Sequence, residues 1–307
     1  MESDFIKSFS YVENFPDTPE WKTRIGHVSA SALKNLKISP AHFLEPEKVE
    51  PTPAMAFGSA YHTYILQPEL FDKEYFVFDE RDIIEKLIGE GAKSPRATNA
   101  YKEWKDAQFS FAQGKTMIDL ETMDKLQKMK KRLMDHLYTR QLLSDGEPEK
   151  SFYCTIETFE GDSINVTMRT DFLKYKKRAI IELKTAIDAS KDEFPKACAN
   201  FDYQIQAAIY TDFMELITGK EFPWTFIYIV QESRSPYAFN LFEASPQYLA
   251  QGKYEYEQLM MLYAYCRKEN RWPGYQVWCQ NRFGINQLDL PKWAIRDLTY
   301  YTHENGK

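Results

Sequence analysis

The stretch that most restricts what this chain can fold into is "INVTMRTDFLKYKKRAIIELKT", residues 164–185. Ile164, Val166, Met168 and Phe172 alternate with Asn165, Thr167, Arg169 and Asp171, the pattern of a strand with one apolar and one polar face. Beyond Lys176-Lys177, Ile181 and Leu183 alternate with Glu182 and Lys184 in the same manner. The two runs predict an antiparallel hairpin. A turn centred between Lys176 and Lys177 sets Asp171 directly across from Glu182, and Arg169 across from Lys184. Lys-Lys lacks the Gly or Asn of a tight two-residue turn, but a four-residue turn about the same centre keeps this pairing.

That pairing carries an electrostatic penalty. Cβ atoms of opposed residues lie roughly 4.5–5.5 Å apart, and like charges placed there are destabilising. Taking either charge out of water without a partner costs several kcal/mol. A divalent cation removes the objection, because two carboxylates then become ligands of one hard ion. Lys184 shares the face of Glu182, about 6–7 Å along the strand, close enough to reach a phosphate or water on that ion. The ordinary alternative is a solvated hairpin edge with mixed charges, and a one-residue slip would send the carboxylates to opposite faces.

Elsewhere the sequence describes a folded α/β protein. Hydrophobic residues make up 43% of 307, with only 12 glycines, enough for a sizeable core. No apolar run reaches the roughly 18 residues a membrane span needs. The start, "MESDFIKSFSYVENF", lacks the basic-then-apolar pattern of a signal peptide, so a cytoplasmic location is expected. A net charge of -6 argues against a protein that coats nucleic acid, though not against an enzyme holding DNA in a local basic groove. Cys154, Cys198, Cys266 and Cys279 show no metal-site spacing, so neither zinc nor an iron–sulfur cluster is expected.

Periodicity and capping predict helices over 29–43 (capped by Ser29 or Ser31 and stopped before Pro40), 54–66, 119–143, 203–218 and 246–268. Strands are predicted over 74–79, 150–159, 164–175, 179–185, 224–231 and 236–243. Residues 90–99 are the most loop-like. Strands grouped between helices imply a mixed sheet flanked by helices. No linker interrupts the pattern, so one domain over 1–307 is expected, with an irregular N-terminal extension (1–26) and an irregular C-terminal segment (270–307).

Asp171 followed by Glu182-Leu183-Lys184 resembles the metal site of the PD-(D/E)XK nuclease superfamily, with Thr170 where the eponymous motif has Pro. Further segments resemble its RecE-type branch (exonuclease VIII C-terminal domain-like), related to lambda exonuclease and the RecB-like nucleases. "GSAYH" (58–62) is similar to the branch's G-x-A-x-H, with Gly58 allowing close backbone approach and His62 near the metals. "YQIQAAIY" (203–210) is similar to its Q-x-x-x-Y helix, matching Gln206 and Tyr210. "VSASALKNLKISPAHF", "RWPGY" (271–275) and "LPKWA" (290–294) follow in the family's order. Glu149 matches an upstream acidic position.

The resemblance implies a restriction-endonuclease-like core and a Mg2+-dependent DNA exonuclease, with Mn2+ as substitute. It implies metal ligation by His62, Glu149, Asp171, Glu182 and the Leu183 carbonyl. Lys184 would orient water or stabilise charge, and Gln206 and Tyr210 would position DNA or the lysine. Arg169 would hold a phosphate. It further implies digestion of one strand of linear duplex DNA from the 5′ end in phage-type recombination, by a homo-oligomer beside a single-strand annealing protein. Cysteines of the iron–sulfur relatives are not reproduced. The rival readings are an endonucleolytic or non-catalytic DNA-binding protein of the same fold, and an unrelated ligand-binding α/β protein.

Overall fold

The computed structural model describes residues 5–13, 27–47, 50–278 and 285–295. In chain order the elements begin with β1 (Ile6–Glu13), β2 (His27–Val28), α1 (Ala30–Ile38), α2 (Pro40–Leu44), α3 (Pro53–Leu66) and α4 (Pro68–Glu74). Then come β3 (Tyr75–Phe78), α5 (Arg81–Gly89), α6 (Asn99–Ala112), β4 (Thr116–Asp119), α7 (Leu120–Asp135) and α8 (Leu137–Leu142). The second half holds β5 (Glu147–Thr158), β6 (Ser163–Lys174), β7 (Ala179–Ala186), α9 (Phe194–Asn200), α10 (Tyr203–Thr218), β8 (Thr225–Glu232), β9 (Phe239–Glu243) and α11 (Pro246–Glu269).

The main sheet runs β1-β5-β6-β7-β8-β9, with β2 added parallel to β6. β7 and β8 are parallel and the other neighbours on that path antiparallel, so the sheet is mixed, as the sequence predicted. Phe172 pairs with Ile181, Leu173 with Ile180 and Lys174 with Ala179, joined through a 3-10 turn at Tyr175–Lys177 and a left-handed Arg178. This is the predicted register and the longer turn. The β6–β7 ladder ends at Phe172/Ile181, however. Asp171 and Glu182 therefore stand just past the last pair, and Arg169 pairs with Ser151 of β5 instead of standing across from Lys184.

Core packing explains why the strands part there. Ile164, Val166 and Met168 pack in one cluster with Ile180 and with Leu33 of α1, Ile209 of α10 and Tyr256 of α11. Phe172 packs in the other, with Ile181, Leu183, Tyr61 of α3 and Met129 of α7. The expectation that Phe172 shares the face of Met168 is thus corrected. Alternation switches face between them, beside a gap in the β5–β6 ladder where Glu149 takes a left-handed backbone (φ 52°).

Two further expectations change, and one region gains elements for which nothing was predicted. Residues 6–13, expected to be irregular, form edge strand β1 on β5. The long helix over 119–143 breaks at His136, whose Nδ1 accepts the Thr139 N–H and caps α8. The charged region after β3 contains two helices around the 90–99 turn, held by Glu80, which accepts from Arg96 and Tyr101. Beyond α11 the described residues form only short 3-10 turns, as predicted for this segment.

Candidate active site

β6 has one edge shared between two partners. β2 pairs with it at Asn165 and Val166, and β7 only at Phe172–Lys174. Between these contacts the backbone needs other hydrogen-bond partners. The Arg169 N–H donates to the Tyr210 hydroxyl of α10 at 3.3 Å, and the Leu183 N–H donates to Asp171 Oδ2 at 2.8 Å. The fork between β6 and β7 is therefore closed by side chains, and the polar residues collect in it.

α3 supplies His62 from the side of the second core cluster. Neighbouring Tyr61 is fully buried and donates to Gln231 Oε1 at 2.8 Å, while Gln231 Nε2 donates to the Met129 and Tyr237 carbonyls. That network fixes α3 against β8 and α7. His62 Nε2 lies 3.1 Å from the Leu183 carbonyl, which can only accept, so this nitrogen carries the proton. Nδ1 then turns a lone pair toward Asp171 Oδ2, 3.5 Å away. Burial, and after it the Lys184 ammonium, hold the imidazole below its ordinary range, so the ring is neutral. A shared proton or a bound cation would satisfy the lone pair and the carboxyl group together.

His62, Glu149 and Asp171 each offer one ligand atom, and these atoms lie within 4.8 Å of one another. Burial first, and the neighbouring carboxylate second, raise both acids: Asp171 well above the ordinary range beside Glu182, and Glu149 beside Asp171. Arg169 pairs with Glu149 at 2.6 Å.

Glu182 stands outside this triad and is almost fully buried (2% exposed). Its Oε1 accepts Lys184 Nζ and Gln206 Nε2, both at 2.7 Å. Its Oε2 is buried and has no hydrogen-bond partner among the described residues. An orphaned carboxylate oxygen is costly unless something outside the chain takes it. The Glu182 charge in turn holds the Lys184 ammonium above its ordinary range despite burial.

These donors fit a hard divalent cation, which favours carboxylate oxygens and tolerates an imidazole. The Leu183 carbonyl, expected as a further ligand, is engaged by His62. Gln206, expected to position DNA or the lysine, donates to the Glu182 oxygen that also holds Lys184, and Tyr210, expected in the same role, accepts from the β6 backbone. Gly58 is not required for a close approach, since a Cβ there would meet Thr185 Oγ1 at 3.9 Å, ordinary contact. Tyr61 and Gln231 escaped the sequence reading, although Gln231 ends the apolar run "TFIYIV" with a buried amide.

A family model described as a PDDEXK-like domain of unknown function (DUF3799) matches residues 29–281. The chain belongs to that family. The family places it in the PD-(D/E)XK nuclease superfamily that the Asp171 and Glu182-Leu183-Lys184 pattern resembles. Among solved structures it is similar to a protein named "Putative exonuclease" from Eubacterium rectale. The TM-score is 0.55 at 14% identity, over 91% of this chain and 96% of that one. At that identity the likeness speaks for the fold. No curated protein matches the chain. No helix among the described residues is long and apolar enough to cross a membrane.

Proposed function

We propose that this chain is a Mg2+-dependent deoxyribonuclease, with Mn2+ as a working substitute, that degrades linear double-stranded DNA from its ends. The observation that carries this reading is the convergence of His62, Glu149 and Asp171 beside the orphaned Glu182 oxygen, with Lys184 held 2.7 Å from the same carboxylate.

Phosphodiester hydrolysis requires an enzyme to remove something on the order of 20 kcal/mol of barrier. A bound divalent ion supplies acidified water and neutralises phosphate charge. His62, Glu149, Asp171 and Glu182 are the residues that would hold it. Lys184 contributes a fixed positive charge for the attacked phosphate, and its pairing with Glu182 keeps that charge in place. Gln206 positions Glu182, Tyr210 positions the β6 backbone, and Arg169 brings a guanidinium to the edge of the triad for a flanking phosphate.

The RecE-type resemblance supports the finer parts of the reading. These are digestion of one strand from the 5′ end, a closed homo-oligomer around DNA, a single-strand annealing partner in phage-type recombination, and a cytoplasmic setting. A plasmid assay tests the mode of attack. Linear duplex consumed in Mg2+ while covalently closed circles survive supports end-dependent digestion. Nicked or linearised circles would replace it with an endonuclease, and neither form cut would point to a non-catalytic member of the fold.

A further inference from the structure

One ring beside the site carries two cations. Lys184 Nζ lies 4.8 Å from the centroid of the Tyr203 ring, and Lys34 Nζ of α1 lies 5.1 Å from the same centroid. The carboxylates that act on Lys34 most strongly, Asp202 and Glu182, are already engaged. Asp202 holds Lys37 at 2.6 Å, and Glu182 holds Lys184 and Gln206. Phe201 stacks on Tyr203 at 5.7 Å and 24°, and Tyr203 stacks in turn on buried Tyr228 at 6.3 Å and 28°. The outer ring of this stack is 58% exposed. A half-buried ammonium and an exposed, backed aromatic face are the two elements with which proteins bind single-stranded nucleic acid.

We propose that Lys34, Tyr203 and Phe201 form a nucleotide subsite next to the metal cluster. Lys34 takes the backbone phosphate neighbouring the one attacked, and Phe201 stacks an unpaired base of the same strand. This inference rests on the nuclease reading and adds to it that the strand entering the site is locally single-stranded. Burial first, and the like charge of Lys184 second, lower the Lys34 ammonium to about 8, a strain that an arriving phosphate relieves.

Steady-state kinetics on linear duplex over a series of KCl concentrations tests it, with wild type, K34M, K34R and F201A. K34M keeps an apolar stem of similar length and removes the charge that lies over Tyr203. It should raise KM about five- to twentyfold, with kcat falling far less, and reduce the slope of log KM against log salt by about 1. K34R should restore most of both, and F201A should raise KM about fivefold or more. Wild-type KM and salt slope in K34M, even with a lowered melting temperature, would make Lys34 a packing cation and remove the subsite while leaving the nuclease standing. A wild-type protein that digests nothing in Mg2+ or Mn2+ would overturn the nuclease reading and this inference together.

Discussion

The Asp171 carboxylate accepts the backbone N–H of Leu183 at 2.8 Å, so the acid of one strand serves the edge of the next where the ladder between them has ended. The hydrogen bond holds Asp171 at the fork where β6 and β7 part, with Glu182 and Lys184 on either side of the residue it caps. A structural role and the proposed ligand role thus fall on the same side chain.

Asp171→Asn separates the two roles. With its folded pKa raised well above 3.8 by burial and then by Glu182, Asp171 contributes stability that is fully present below about pH 3.8 and is lost as pH rises through the folded value. At neutral pH the unfolded chain's readier ionisation of this group opposes folding of the metal-free protein. The asparagine amide oxygen can still accept the Leu183 N–H. The variant should therefore melt higher than wild type in EDTA at pH 7.5, with a flatter pH dependence, and gain less from added Mn2+. Thermal melts across pH with and without metal check all three.

Tyr61→Phe should cost about 1–3 kcal/mol, because it leaves the buried Gln231 Oε1 unsatisfied. Since Tyr61 adjoins His62, hydrolysis should fall as well. Urea denaturation gives the first number and initial rates the second.

Gly252 and Gly58 should respond in opposite directions. A Cβ at Gly252 would meet the Gln204 carbonyl oxygen at 2.0 Å, so α10 and α11 are in backbone contact where α10 begins. Gly252→Ala should cost about 1–3 kcal/mol or more through overpacking, and should disturb Gln206 and Tyr210 on the same helix. Gly58→Ala meets only ordinary contact within a helix and should stabilise by about 0.5–1 kcal/mol. Denaturation midpoints of the two variants make the comparison.

Gln206→Ala removes the amide that steadies Glu182 Oε1 and leaves Lys184 its remaining partner there. A supporting hydrogen bond of this kind is worth about 10–100-fold in activity or metal affinity. The loss should appear in kcat and in the Mg2+ concentration needed for half-maximal rate, with little change in melting temperature.

Much of this was legible in the sequence because it depends on alternation. The hairpin register followed from the apolar positions on either side of Lys176-Lys177, and the helix carrying Gln206 and Tyr210 from its periodicity. The face switch between Met168 and Phe172 was not legible, because both are apolar at even positions and nothing in "GEPEKSF" marks Glu149 as left-handed. The end of the β6–β7 ladder was hidden for the same reason. β1 escaped notice because "IKSFSYVE" lies at the sheet edge, largely exposed, and shows no clean apolar stripe. The shared ring of Tyr203 joins residues from α1, β7 and α10, a meeting that only the tertiary fold creates.

The most direct test of the central claim is hydrolysis of an end-labelled linear duplex by wild type and by Glu182→Gln, each with and without Mg2+. The glutamine keeps the side chain's shape and the acceptor for Lys184 and Gln206 while removing the negative charge. Label release by wild type in Mg2+ alone, and none by the variant with its fold confirmed by circular dichroism, is the expected result; the lost counter-charge of Lys184 should lower the melting temperature. Equal release by both proteins, or release by wild type in EDTA, would contradict a cation held at this fork.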